Sequence, residues 1–125
     1  MPCDYVIDKK QKLVISSAWG VLTGLECLEH QDRMLADKDF NPGFSQLLDF
    51  TNAIKWEINA EMIRVMARRN VFLPQSRRAF LLGEDQRVYF GLVRMFQSFR
   101  DIFGEMEQMR IFEDRDQAME WLLNG

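Results

Sequence analysis

Histidine appears once and cysteine twice in this chain, and each scarcity removes a class of function. His30 has no second histidine and no cysteine at a matching spacing, whereas a zinc site asks for three or four protein ligands. No metal site is expected. Ser16 and Ser17 fall in a stretch that reads as a strand rather than in a Gly-x-Ser-x-Gly elbow, so His30 completes no hydrolase triad. Without a nucleophile beside an activating base, an enzyme is the least favoured class. Cys3 and Cys27 are expected to be reduced, because a domain of this size builds a core that does not depend on a disulfide.

Other absences bear on location and partners. No run reaches the roughly 20 apolar residues that span a bilayer, and the start, MPCDYVIDKK, lacks a basic segment followed by an apolar stretch. A cytoplasmic protein with no membrane insertion is expected. The formal charge is −3 and the pI about 5.2, which argues against nucleic acid, since that binding rests on neutralising phosphates with Lys and Arg. Gly83-Glu84-Asp85 stands where strand-to-helix turns hold phosphates, but its two carboxylates oppose an anion. No cofactor is expected. Asp37, Asp39 and Asn41 alternate like calcium ligands; Pro42 then takes the place of the required glycine and Leu48 that of the closing glutamate, which leaves a helix-to-strand loop.

What is present suits one globular domain over residues 1–125, with 47% hydrophobic and 28% charged residues in a chain of 125. Asp4–Asp8 and Leu13–Trp19 are short and rich in β-branched or aromatic residues, and the polar KKQK between them makes a hairpin. Thr23-Gly24-Leu25-Glu26 fits a capping box that starts a helix running to about Ala36. Strands are expected at Ser45–Phe50, Ala79–Leu82 and Met109–Phe112, with Thr51–Glu57 as a connection. A helix opens at Asn59, a good N-cap, and another closes the chain from Arg115 to Leu123. The order β-β-α-β-α-β-α-β-α calls for a mainly parallel five-stranded α/β sheet with an N-terminal antiparallel hairpin and about four helices. If successive strands are neighbours, all the helices lie on one face.

The most apolar element is the helix expected from Asp85 to Phe103, capped by Asp85. Val88, Leu92, Met95, Phe99 and Ile102 repeat at steps of four and three, and this row is assigned to the core. Tyr89, Val93, Phe96 and Phe103 form a second row beside it, a surplus that needs its own cover. Three destinations are open to that row: the chain's own core under the final helix, a homodimer interface, or a groove for an apolar ligand. Gly91 in this helix points to a close approach there.

The order of elements, together with the stretch LLDFTNAIKWEINAEMI, resembles the SpoIIAA-like group that includes STAS domains. The pieces that carry the resemblance are the hairpin ending in Trp19-Gly20, the segment Phe40-Asn41-Pro42-Gly43 before a strand ending in Leu48-Asp49, and the Ile111-Phe112 strand with its Ala118–Leu122 helix. More closely, the chain is similar to the small single-domain bacterial proteins of that group, most of them without assigned activity. Anti-sigma-factor antagonists of the group carry a phosphorylatable Ser at the start of the helix after the Leu-Asp strand. The matching stretch here, Glu57-Ile58-Asn59-Ala60, has no hydroxyl. Thr51 is the nearest candidate phosphoacceptor, although its place directly after a strand suits a turn residue.

Arg68, Arg69, Arg77 and Arg78 bracket the loop NVFLPQS and form a candidate patch for an anion or an acidic partner, with pairing to the chain's own carboxylates as the simpler use. The resemblance implies a non-enzymatic binding or regulatory module acting through protein–protein contacts, as a homodimer or with a partner not yet identified. Loose fold kinship of the group with lipid-binding CRAL-TRIO domains implies the alternative, a carrier or sensor of a small apolar ligand.

Overall fold

The computed structural model describes residues 2–103 and 107–124. Its strands are β1 (Cys3–Asp8), β2 (Leu13–Thr23), β3 (Ser45–Glu57), β4 (Arg77–Leu81) and β5 (Gln108–Phe112); its helices are α1 (Gly24–Ala36), α2 (Ala60–Ala67), α3 (Phe90–Phe103) and α4 (Arg115–Asn124). The sheet runs in the order β1-β2-β3-β4-β5, with β1 antiparallel to β2 and the other pairs parallel. Both expected helix caps form. Thr23 and Glu26 exchange hydrogen bonds as a capping box, and the Asn59 side chain accepts from the Met62 amide at 2.9 Å.

Two elements are longer than the residues suggested. β2 continues past Trp19 to Thr23 and β3 past Phe50 to Glu57, so the expected connection Thr51–Glu57 is strand. Gly20 adopts φ 63° beside two shifts of register, and this irregularity breaks the alternation that marks a strand. Beyond it, Leu22, Ala53 and Trp56 return to the buried side of the sheet and give the extension its apolar reason to form.

Helices α1, α2 and α3 pack on one face over a core that includes Ala18, Leu22, Phe80, Val93 and Phe96. Helix α4 lies on the other, where Ala118 and Leu122 meet Leu13, Leu47, Ala79, Leu81 and Phe112. The expectation that all helices share a face holds only for those that connect neighbouring parallel strands, because a right-handed crossover fixes their side. α4 follows the last strand and connects nothing, so it is free to cover the second face. It therefore leaves the surplus row of α3 uncovered by Trp121 or Met119.

That row has a different cover, and the two rows of α3 share the core, since Leu92, Met95 and Phe99 of the first row stay half-buried against it. Val93 and Phe96 point into the core, while Val88 and Ile102 are 77% and 70% exposed. Arg100 lies on the stripe of Val93 and Phe96 and is 1% exposed. Its charge suggests a solvated position, but its partners are inside. The helix also begins differently. Glu84–Tyr89 is a 3₁₀ turn, and its start is fixed by the Gln86 side chain, which accepts from the Gly83 amide and donates to the Thr51 and Ala53 carbonyls. Asp85 is not the cap.

Two glycines make opposite predictions. A Cβ on Gly24 would stand 2.8–2.9 Å from the Cβ, Cγ and Cε of Met62, where α1 meets α2. Gly24→Ala is expected to cost about 1–3 kcal/mol, read in a denaturant melt, because the helices must separate. Nothing lies within 4 Å of a Cβ on Gly91, so the close approach expected there does not exist. Gly91→Ala is expected to raise stability by up to about 1 kcal/mol.

Candidate functional site: a cavity between the sheet and three helices

Between the sheet and α1–α3 the packing leaves a cavity of about 100 Å³. Its floor is the helix-facing side of β2, β3 and β4, and its roof comes from α1, α2 and α3. Interiors normally pack without voids of this size, and an apolar cavity of about 150 Å³ takes benzene. The floor runs from Ser16 to Leu22 along β2, and β3 pairs Leu48 with Ser16 and Trp56 with Leu22. The lining residues thus follow the strands from Ser16 to Leu22.

One end is polar. Gln46 Nε2 donates to Ser16 Oγ at 2.9 Å, and Arg78 Nε donates to Gln46 Oε1 at 2.9 Å. Arg78 Nη1 bonds Glu107 Oε1, and Arg100 Nη2 bonds Glu107 Oε2, both at 2.9 Å. Arg100 Nη1 also caps the end of α2 through the Ala67 carbonyl at 2.9 Å, a favourable place for a cation. The rings of Phe72, Phe80 and Phe96 surround the Arg78 guanidinium at 4.8–5.9 Å. Arg78, Arg100 and Glu107 are all nearly fully buried.

Among the described residues three buried side-chain atoms have no hydrogen-bond partner: His30 Nε2, Gln31 Oε1 and Trp56 Nε1. All three residues line the cavity. Buried polar atoms are nearly always paired, so three around one void mark it as more than a packing fault. Burial, with lesser contributions from Arg33 and Arg78, pulls the His30 pKa down to about 4, so the ring is neutral at pH 7. Cys3 and Cys27, both free, also line the cavity. Burial pushes the Cys27 thiol up to about 12, which keeps it protonated and unreactive.

The residues singled out from sequence are distributed unevenly around this site. Val93 and Phe96 line it, so they face the sheet and form no outer surface of α3. Tyr89 stacks on Trp56 with ring centroids 4.8 Å apart, and its hydroxyl accepts from the Trp56 amide. Phe103 stays half-buried beneath Arg68. The four arginines do not converge into one patch. Adjacent residues in a strand point to opposite faces, so Arg78 enters the core while Arg77 turns to α4 and donates to the Trp121 carbonyl. Arg69 pairs with Asp32 at 2.6 Å, and Arg68 remains exposed. Thr51 is exposed within β3, where its hydroxyl donates to Asp49 Oδ1.

His30, on α1, is 7% exposed, against the exposed position that a lone histidine among Glu26, Glu29 and Asp32 suggests, and packs edge-on against Tyr5 at 5.5 Å. Reasoning from the residues also missed Gln46, Arg100 and Glu107. The available signal was Arg100 on the Val93–Phe96 stripe and Arg78 directly before the apolar run of β4. Asp37 serves Tyr5, whose hydroxyl donates to it at 2.8 Å, and Asp39 pairs with Lys9; no cluster of metal-ligating side chains forms among the described residues.

A mixed sheet in sequential order, with three helices on one face and a fourth on the other, is the SpoIIAA-like α/β fold. The crystal structure of an uncharacterised DUF3478-family protein with that fold, from Shewanella loihica PV-4, is similar at a TM-score of 0.58 and 20% identity, over 96% of this chain and 93% of that one. The likeness shows the fold. No family model and no curated protein matches the chain. No described helix is long and apolar enough to cross a membrane.

Proposed function

We propose that the protein is a non-enzymatic binding module that holds a small apolar ligand between its sheet and α1–α3. The observation that carries this reading is the cavity, whose wall is mainly apolar while three buried polar atoms beside it lack partners. Ligand sites have this composition, a mostly hydrophobic lining with a few placed polar groups. At about 100 Å³ the space suits a compact molecule. Native mass spectrometry of protein isolated from cells is expected to retain an apolar species. In purified protein, six-carbon apolar compounds are expected to raise the melting temperature, since a ligand at 100 times its Kd adds about 2.7 kcal/mol. No retained molecule together with no shift across the series would overturn the reading.

A second reading, contact with a protein partner or a second copy, has its own support on the opposite face. Val6, Trp19, Val21 and Ile54 alternate with residues of the buried side and are 44–80% exposed, on the part of the sheet that α4 does not reach. If this face pairs two copies, light scattering gives twice 14.8 kDa and Ile54→Lys gives a folded monomer. A wild-type monomer at high concentration would sink the homodimer.

A further inference from the structure

The polar end of the cavity is selective by sign. Arg78 is 5% exposed and spends Nε on Gln46 and Nη1 on Glu107, while its Nη2 makes no hydrogen bond among the described residues. The carboxylate that balances its charge is shared with Arg100. Ser16 Oγ accepts from Gln46, so its own hydroxyl hydrogen is free to donate. His30 is close enough to feel the charge of Arg78, and its Nε2 is unpartnered. Gln31 presents an unpartnered Oε1, and a half-turn of its amide presents the NH₂ instead. Arg78 Nη2, the Ser16 hydroxyl, the His30 ring and the Gln31 amide are each able to donate. A largely buried guanidinium with a spare N–H is well suited to recognise a carboxylate, through a short charge-assisted hydrogen bond.

We propose that the ligand is a small amphiphilic carboxylate, its head held by Arg78 Nη2, Ser16 and His30 and its tail lying along Leu48, Phe80, Val93 and Phe96 toward Trp56. This rests on the cavity reading above and goes further by naming the head group. A buried cation also favours its counterion over a neutral polar group, because the ammonium alternative would meet like charge and the alcohol would leave the guanidinium unmatched.

The test compares hexanoate, hexanol and hexylammonium on the wild-type protein at pH 7.5 by calorimetry and thermal shift. Hexanoate is expected to bind at least tenfold more tightly than hexanol, with no binding of hexylammonium. Ser16→Ala should weaken hexanoate several-fold and leave hexanol unchanged, and Arg78→Gln, if it folds, should remove the preference. Equal or tighter binding of hexanol overturns the carboxylate assignment and leaves the cavity reading intact. Failure of all three compounds to bind overturns both.

Discussion

Glu107→Ala is expected to cost about 3–5 kcal/mol, the loss typical of removing one partner from a buried ion pair. For a domain of this size that corresponds to a fall in melting temperature of about 10–20 °C. Glu107 stands 1% exposed between Arg78 and Arg100, and the truncation leaves both guanidiniums facing a hole in the core. Glu107→Gln keeps the shape and some of the hydrogen bonds, so its loss is expected to be smaller, and the difference between the two measures the charge. Thermal and urea melts decide it; a loss below about 1 kcal/mol for Glu107→Ala would show that the triad contributes little. The acid limb follows from the same geometry. Burial by itself raises the carboxyl, but the charge of Arg78 and the hydrogen bonds from both arginines outweigh it and hold Glu107 below the ordinary carboxylate range. A carboxyl depressed on folding contributes stability that is present above its unfolded pKa, near 4.3, and lost as the pH falls through the folded value.

Above that range, a second dependence comes from His30. Its ordinary pKa of 6.5 falls to about 4 in the folded protein, so between these values the unfolded chain binds more protons and stability rises with pH. The full contribution is present above about pH 6.5 and is lost toward pH 4, an interval worth roughly 2–4 kcal/mol. The groups acting on the ring besides burial are Arg33 and Arg78, which lower the pKa, and Asp4, which raises it. Urea melts from pH 4.5 to 7.5 on wild type and His30→Gln are expected to diverge, the variant curve being flatter. Parallel curves would place the His30 ring in contact with solvent.

How far the fold was legible depended on how local its causes were. Thr23 with Glu26, and Asn59 before its helix, announce themselves within four residues, and both caps form. The parallel order follows from alternating elements, because few topologies satisfy short right-handed connections. The site was less legible because its polar parts meet across long separations: Ser16 with Gln46, Arg78 with Glu107, Arg100 with Ala67. A charged residue taken alone reads as solvated. Arg100 therefore hid its place on the buried stripe of Val93 and Phe96, and Glu107, taken alone, gave no hint that it sits in the core. The extension of β2 and β3 was hidden for another reason, since the positive φ at Gly20 interrupts the period by which a strand is recognised.

The place of Glu107 in the chain has a consequence for synthesis at the ribosome. Four of the five strands, both arginines of the triad and three helices precede it. A nascent chain that has emerged only as far as α3 holds the parts of a domain but would have to bury Arg78 and Arg100 without the anion that balances them. Such a fragment is held back from a stable fold until the segment carrying Glu107 arrives, immediately ahead of β5. The last strand and the missing charge are thus delivered together, and an interrupted chain is left open to proteolysis.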